Sequence, residues 1–238
     1  MGEERISAGA YDLNKWLFGG YEKDIITTIY GPAGSGKTNL CILAAVSQAK
    51  KGNKVVFVDT EGGFSIDRFK QISGEEDILK NLLLLKPTNF NEQKKSFDIL
   101  LKTIKSDKQV SLIIVDSMTM LYRLELSEKE ENKIKELNSE LSKQLRTLAE
   151  IARNRNIPVI ITNQIYYSFL SDEDFQSGKQ RDVNMVGGDI LRYWSKCLIE
   201  MQNNSGKRKA ILRKHRSLPE KEMEFIIDNK GIRKKGLF

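Results

Sequence analysis

A glycine-rich segment with one lysine and one threonine, GPAGSGKT at residues 31–38, contains the residue types needed to hold phosphate groups. Glycines let backbone N–H groups turn toward phosphate oxygens, Lys37 can reach the β- and γ-phosphates, and the Thr38 hydroxyl can ligate Mg²⁺. The spacing is that of a P-loop. We therefore predict that ATP and Mg²⁺ bind here, through Gly31, Pro32, Ala33, Gly34, Ser35, Gly36, Lys37, Thr38 and Asn39.

A P-loop needs a second group to position the magnesium, and the segment LIIVD at residues 112–116 supplies a carboxylate. Its four apolar residues predict a buried strand, with Asp116 emerging at the carboxyl end beside the P-loop. An apolar run that ends in aspartate is by itself often a plain strand end. Together with the P-loop, it predicts a metal site made by Thr38 and Asp116.

Two further polar groups end other predicted strands. Glu61 follows the strand of VVFVDTEGG and could act as the base that orients and activates water for attack on the γ-phosphate. Gln164 ends the strand of IPVIITNQ and could sense the γ-phosphate and pass its state to the segment that follows. A solvated acidic turn and a simple strand cap are the alternatives for these two residues. We predict catalytic roles for Lys37, Glu61 and Gln164.

The elements that position these side chains alternate between strands and helices. Short apolar runs predict strands at Ile25–Tyr30, Lys54–Asp59, Leu82–Leu85, Leu112–Asp116 and Ile157–Thr162. Longer periodic segments predict helices at Gly34–Lys51, Asn91–Lys105 and Lys133–Asn154. This alternation predicts an α/β fold, a mainly parallel central sheet flanked by helices.

The pattern changes after about residue 190, where short runs follow each other closely. Lys196–Met201, Arg208–Arg213 and Glu222–Asp228 predict antiparallel strands added to the sheet edge near the C-terminus. Before them, Tyr166–Val186 is polar and without periodicity, which is typical of a functional or disordered loop. We expect residues 1–238 to form a single domain.

Charge and cysteine content restrict the class of protein. Residues 176–238 hold 15 Lys and Arg against 7 Asp and Glu, which favours a polyanionic partner or a lysine-rich solvated surface. Cys41 and Cys197 lie in apolar segments without metal-ligand spacing and are expected to be reduced core thiols. The sequence has no long apolar run and no leader-like N-terminus, so we predict a cytoplasmic protein without membrane association.

Taken together, the motifs resemble those of the RecA/RadA recombinase family, in order and in spacing, from about Gly9 to Phe238. The matching segments are GGYEKDIITTIYGPAGSGKT, VVFVDTEGGFSIDRF, LIIVDSMTMLYR, IPVIITNQ, GGDIL and RKHRSLPEKEMEFIIDNKGI. The resemblance implies a RecA-like P-loop NTPase core. Within the family, the chain is most similar to a short archaeal branch that lacks the N-terminal helix-hairpin-helix domain, because little sequence precedes the first core strand.

The resemblance also implies roles for individual residues. It supports the P-loop, metal and catalytic assignments above, and it places Arg68 of SIDRF near the nucleotide base. It places a first DNA-binding loop at Tyr122–Asn132 and a second at Ile165–Val186. Glu128, Glu130 and Glu131 in the first loop are expected to repel DNA.

The second loop contains basic and aromatic residues that could pair phosphates and stack bases of single-stranded DNA, namely Tyr166, Tyr167, Phe169, Lys179 and Arg181. The alternative is that its aromatic residues pack against the domain. Lys214, His215 and Arg216 stand where relatives reach the neighbouring subunit's γ-phosphate, so contact in trans or with DNA is a further hypothesis. A basic turn at a strand end is the alternative.

The resemblance implies an ATP-binding accessory protein of homologous recombination, with DNA and a RadA-type recombinase as partners and weak ATP hydrolysis. Self-association is also compatible with this interpretation. Three alternatives stay open: a filament-forming recombinase, a KaiC-like or helicase-like signalling ATPase, and a nucleotide-binding module without turnover.

Overall fold

The computed structural model describes residues 4–126, 131–167 and 183–236. Its helices are α1 (Tyr11–Trp16), α2 (Lys37–Ala49), α3 (Ile66–Ser73), α4 (Phe90–Ser106), α5 (Met120–Leu126), α6 (Glu131–Arg155) and α7 (Gly188–Trp194), with a 3₁₀ turn at Asp77–Asn81. Its strands are β1 (Arg5–Ile6), β2 (Tyr21–Glu22), β3 (Ile26–Gly31), β4 (Lys54–Asp59), β5 (Leu82–Leu85), β6 (Val110–Asp116), β7 (Val159–Tyr167), β8 (Val183–Met185), β9 (Ser195–Asn204), β10 (Lys207–Lys214), β11 (Lys221–Asp228) and β12 (Gly231–Lys234).

One large sheet organises the described residues. Its strand order is β12-β11-β10-β9-β3-β7-β6-β4-β5, and β8 pairs antiparallel with β7. Six neighbouring strands of this sheet run parallel to each other, namely β9, β3, β7, β6, β4 and β5, whereas β10, β11 and β12 are antiparallel to their neighbours. The α/β class, the mainly parallel sheet and the antiparallel C-terminal strands are therefore confirmed.

Hydrophobic cores fill both faces of the sheet because successive strand residues point to opposite sides. On β4, Val55 and Phe57 pack with α2, whereas Val56 and Val58 pack with α4 and α6. Both faces are covered by helices, so strands such as β6 are apolar on both sides, as parallel strands usually are. This burial explains why the strand runs could be recognised in the sequence.

The structure departs from the predicted elements in several places, since α1, α3, α5 and α7 and the strands β1, β2, β8 and β12 were not predicted. β9 pairs parallel with β3, so it belongs to the parallel part of the sheet, and the antiparallel addition begins only at β10. Helix α3 was not predicted, because it is short and mostly polar. It begins where the Ser65 hydroxyl accepts a hydrogen bond from Arg68 N, at 3.1 Å, and ends at Gly74, which has a φ of 68°.

The two cysteines and the hydropathy of the helices complete the description of the fold. Cys41 and Cys197 are buried and free, as predicted, and burial raises the pKa of the Cys197 thiol to about 12. In the part of the chain that the structure describes, no helix combines the length and apolar character needed to span a bilayer.

Candidate functional site: a nucleotide-binding cleft

The P-loop connects a central strand to the helix that follows it. β3 lies between β7 and β9, and its last residue, Gly31, opens the loop that leads into α2. A side chain at Gly31 would collide with the carbonyl oxygen of Met201 on β9. Gly36 precedes α2 with a φ of 105°, a conformation that favours glycine. These two glycines let the loop turn tightly against the strands, with its N–H groups at the start of a helix.

Lys37 is folded onto its own loop. Its Nζ donates hydrogen bonds to the carbonyl oxygens of Gly31, at 3.0 Å, and Pro32, at 2.9 Å, and the residue is only 6% exposed. Burial lowers the pKa of Lys37, while the negative charges of Glu61 and Asp116 oppose that shift. The ammonium therefore has two weak neutral acceptors, for which a phosphate oxygen would compete favourably.

Asp116 ends β6 at the base of the cleft and is almost fully buried. Its Oδ1 accepts a hydrogen bond from the Thr162 hydroxyl, whereas its Oδ2 is buried without a hydrogen bond. Burial raises the pKa of Asp116, an effect opposed by the hydroxyls of Thr162 and Thr38 and reinforced by Glu61 and Asp59.

The residues present fit a magnesium-bound nucleotide. The hydroxyl oxygen of Ser35 and Oδ2 of Asp116 are buried polar atoms without partners, an expensive arrangement that a bound ligand would relieve. Among the described residues, no group of three or more His, Cys, Asp and Glu could hold a metal alone. A metal held by Thr38, Asp116 and phosphate oxygens needs no such group.

The predicted catalytic residues Glu61 and Gln164 meet across the sheet. Gln164 Nε2 donates a hydrogen bond of 3.0 Å to Oε1 of Glu61, although β4 and β7 are separated in the sheet by β6. Glu61 is exposed, so water can reach its carboxylate. The bond spans the end of β6, where Asp116 lies. The three strand ends whose residues were singled out in the sequence therefore converge on one cleft.

Neighbouring polar residues hold these strand ends in place. The carboxylate of Asp59 accepts hydrogen bonds from the backbone N–H of Gly63, at 3.0 Å, and Phe64, at 3.1 Å, which fixes the turn carrying Glu61. Asn163 donates to the carbonyl oxygen of Val186 at 2.9 Å and accepts from the Thr119 hydroxyl. Asn163 thus supports the end of β7, whereas its neighbour Gln164 reaches the cleft.

Arg68 links three elements at the edge of the cleft. Its Nε donates to Oδ1 of Asn39 at 3.0 Å, and its Nη2 donates to the carbonyl oxygen of Asp228 at 2.7 Å. The contact with Asn39 places Arg68 beside the residue that follows the P-loop threonine. A role for Arg68 at the nucleotide base stays a prediction.

Two residues of the cleft wall were missed by sequence reasoning. Arg208 of β10 and Ile227 of β11 line the cleft together with P-loop residues and Glu61. They are distant from the P-loop in the chain, and only the sheet order brings them to it. Their segments carry no recognisable spacing, so the sequence offered no signal beyond the basic character of the C-terminal strands.

Lys214 and Arg216, in the basic trio that begins at the last residue of β10, have partners within the chain. Lys214 donates to the carbonyl oxygens of Arg192, at 3.1 Å, and Ser195, at 2.9 Å, at the C-terminal end of α7. Arg216 pairs with Glu22 at 2.9 Å and Asp24 at 3.1 Å. In this structure, these two predicted DNA or trans contacts are therefore made with residues of the same chain.

His215, the third member of the trio, is largely buried beside the same carboxylate. Its Nε2 lies 3.2 Å from Oε2 of Glu22, outside hydrogen-bond geometry, and its Nδ1 accepts from the Ser217 N–H at 3.1 Å. Burial lowers the pKa of His215, with Glu22 opposing the shift. The imidazole is therefore predicted to be neutral at physiological pH.

The second predicted DNA-contacting loop lies mostly outside the described residues, whereas residues 122–126 of the first belong to α5. The backbone of Tyr166 and Tyr167 belongs to β7 and pairs with β8. Phe169, Lys179, Arg181, Glu128 and Glu130 lie outside the described residues. Glu131 begins α6 and pairs with Lys135 at 2.9 Å.

A mainly parallel sheet with a P-loop after a central strand, and with carboxylate and amide groups on neighbouring strand ends, defines a RecA-type P-loop NTPase fold and site. The Rad51 family model matches residues 4–235. Similar proteins include two named "DNA repair and recombination protein RadB". The one from Methanobrevibacter smithii is 45% identical over 92% of each chain. The one from Methanocaldococcus jannaschii is 41% identical over 92% of this chain and 98% of its own.

A solved structure agrees with these relatives. The crystal structure of the RadB recombinase superposes with a TM-score of 0.77 at 33% sequence identity, covering 97% of this chain and all of the other. The chain therefore belongs to the Rad51 family and, within it, to the RadB proteins.

Proposed function

We propose that the chain is an ATP-binding accessory protein of DNA repair and homologous recombination, which binds DNA, modulates a RadA-type recombinase and hydrolyses ATP slowly. Its relatives are named DNA repair and recombination proteins, and the family typically uses ATP and Mg²⁺. The cleft described above has groups suited to that ligand pair. The continuous sheet supports treating residues 1–238 as one ATPase domain.

The Glu61–Gln164 hydrogen bond is the observation that carries the proposal. In this proposal Glu61 takes a proton from water, and Gln164 orients Glu61 by donating to its Oε1, a hydrogen bond of 3.0 Å. Gln164 also lies one residue before Ile165–Val186, the segment assigned to DNA. A change at the nucleotide would therefore reach the DNA segment through one side chain, which suits a switch.

Each remaining side chain of the cleft has a defined task in this scheme. Lys37 would exchange its two carbonyl acceptors for phosphate oxygens. The Ser35 hydroxyl and the backbone N–H groups of the P-loop would donate hydrogen bonds to the same phosphates. Thr38 and Asp116 would hold Mg²⁺, which when bound neutralises charge developing on the phosphates. Asp59 keeps the Glu61 turn in place through its two backbone bonds.

DNA binding and recombinase modulation rest on other features. The excess of Lys and Arg in residues 176–238 supports affinity for a polyanion. Lys214 and Arg216 contribute to that excess but are held by partners in the same chain, which favours other basic residues as the DNA contacts. The modulating role, with or without self-association, is part of the proposal and is supported only by the similarity to proteins named for DNA repair and recombination.

ATP turnover by the purified chain, with and without single-stranded DNA, is the decisive experiment. We expect slow turnover in wild type, with Lys37→Ala as the blank for contaminating ATPase. Glu61→Gln should lower turnover by about 100-fold or more while leaving ATP affinity nearly unchanged, because the amide can still contact Gln164. Unchanged turnover in Glu61→Gln would contradict the assigned base.

The accessory role needs a second assay. Strand exchange by a RadA-type recombinase would be measured with wild type or Lys37→Ala added in equal amounts. A change in exchange rate with wild type alone supports an ATP-dependent accessory protein. Strand exchange by this chain without any recombinase would instead identify it as a recombinase, and a hexameric ring on sizing in ATP would indicate a signalling ATPase.

A further inference from the structure

Arg208 brings an unpartnered positive charge to the wall of the nucleotide cleft. It lies on β10, lines the cleft beside Ala33 and Gly34, and is half-buried. Its Nε is buried without a hydrogen bond. Within the described residues, its side chain has neither a carboxylate partner nor a hydrogen-bond acceptor.

The other two arginines on strands β9 to β12 differ in this respect. Arg213 pairs with Glu200, at 2.7 Å, and with Glu220, and Arg233 pairs with Asp228 at 3.0 Å. A partly buried cation without a partner is costly, whereas one that meets an anion is stabilised. The Arg208 side chain is thus available to an anion from outside the chain.

The strands around Arg208 already contact the P-loop. Asn203, which lies opposite Arg208 in the β9–β10 pair, donates to the carbonyl oxygen of Gly34 at 3.2 Å. The Cδ1 atom of Ile227 would lie 3.0 Å from a Cβ added at Gly36. The C-terminal strands therefore form a wall of the cleft that sits directly against the phosphate-holding loop.

We propose that Arg208 is a nucleotide-binding residue whose guanidinium pairs with a phosphate oxygen of the bound nucleotide. This inference rests on the proposed nucleotide binding and adds a residue that no motif contains. A guanidinium presents several N–H donors in a planar fork that suits phosphate oxygens. Bound nucleotide would in this way be held by the P-loop on one side and by β10 on the other.

The experiment compares nucleotide affinity and melting temperature in wild type, Arg208→Gln and Arg208→Lys. Binding of ATP, ADP and tripolyphosphate would be measured by calorimetry with Mg²⁺ present. We expect Arg208→Gln to weaken all three by about 10-fold to 100-fold and Arg208→Lys to weaken them less. Without ligand, Arg208→Gln should melt at the wild-type temperature or above it, because an unpaired charge has been removed.

Lys209→Gln is the matched control, because Lys209 is the next residue of the strand and pairs with Glu222 at 3.0 Å, away from the cleft. Its nucleotide affinity should equal that of wild type. Three outcomes would overturn the inference alone: wild-type affinity in Arg208→Gln, weakened ATP with unchanged tripolyphosphate, or a melting temperature lowered without ligand. Failure of wild type itself to bind ATP would overturn the proposed function as well.

Discussion

The nucleotide cleft and the segment Lys214–Arg216 both concentrate charged side chains, but they satisfy them in opposite ways. In the cleft, the Ser35 hydroxyl, Oδ2 of Asp116 and Nε of Arg208 are buried without hydrogen bonds. In the basic segment, Lys214 is bonded to two carbonyl oxygens and Arg216 to two carboxylates.

This difference favours a ligand site in the cleft and a structural role for the basic segment. An unsatisfied buried group costs free energy, which a ligand can recover on binding. Arg216 has no such reserve, because recruiting it to a ligand would first break its two ion pairs. Lys37 and Lys214 are each bonded to two carbonyl oxygens, so the unsatisfied groups of Ser35 and Asp116 beside Lys37 are what set the cleft apart. Basic residues adjacent in sequence therefore do not by themselves identify a binding surface.

The largest test of the comparison replaces one lysine in each region. Lys37→Ala should weaken ATP binding by about 100-fold to 1000-fold, because it removes a charge-assisted contact with phosphate. Lys214→Ala should leave ATP affinity within about twofold of wild type. Titration calorimetry with Mg²⁺ measures both. Comparable losses in the two variants would erase the distinction between the regions.

The next effect is on stability and concerns Arg216. Arg216→Ala should lower the free energy of unfolding by about 2–3 kcal/mol, because it leaves the buried carboxylate of Glu22 without its arginine. The double variant Arg216→Ala, Glu22→Gln should recover most of that loss, because the amide carries no charge. Urea titration gives the free energies.

The matched measurement for these variants is affinity for single-stranded DNA. If Arg216 is structural, DNA affinity follows the folded fraction and is restored in the double variant. If Arg216→Ala had reduced DNA affinity and wild-type stability, Arg216 would contact DNA and its structural role would be wrong.

A smaller effect is expected at the end of α7. Lys214→Ala removes a cation from the C-terminal end of a helix together with hydrogen bonds to Arg192 and Ser195. The free energy of unfolding should fall by about 1 kcal/mol. Lys214→Arg should lose less, because it keeps the charge. Unfolding curves identical to wild type for Lys214→Ala would show that these bonds contribute nothing to stability.

The smallest effect depends on pH and belongs to His215. Burial places the pKa of the folded-state imidazole below its ordinary value of 6.5; Glu22 opposes this shift, while Arg5, Arg216 and Lys221 reinforce it. As the pH falls, His215 is protonated first in the unfolded chain. The contribution of His215 to the free energy of unfolding is therefore fully present above about pH 6.5 and is lost as the pH drops below that value. In His215→Gln, that part of the pH dependence should disappear. A profile unchanged by the substitution would assign the dependence to other groups.

The sequence predicted what depends on local pattern. The β4 and β5 bounds match the predicted ones, since apolar runs ending at polar residues mark buried strands. The roles of Lys37 and Asp116 rest on motif and strand position, and the structure brings them to the same cleft. What could not be predicted depends on distant pairing. Arg208 reaches the P-loop only through the order of the C-terminal strands, and Glu22 approaches Arg216 only after β2 has folded against that region.

The pairing of β3 has a consequence for how the chain matures. Ile26 pairs with Val159 on one side and with Ser195 on the other, so the P-loop strand finds both neighbours late in the sequence. During synthesis, the N-terminal half leaves the ribosome first, and such distant pairings form slowly. A nascent chain that ends before β9 would contain the whole GPAGSGKT motif without the strand that shapes it. We therefore expect nucleotide binding to begin only after the C-terminal strands have been synthesised and have folded.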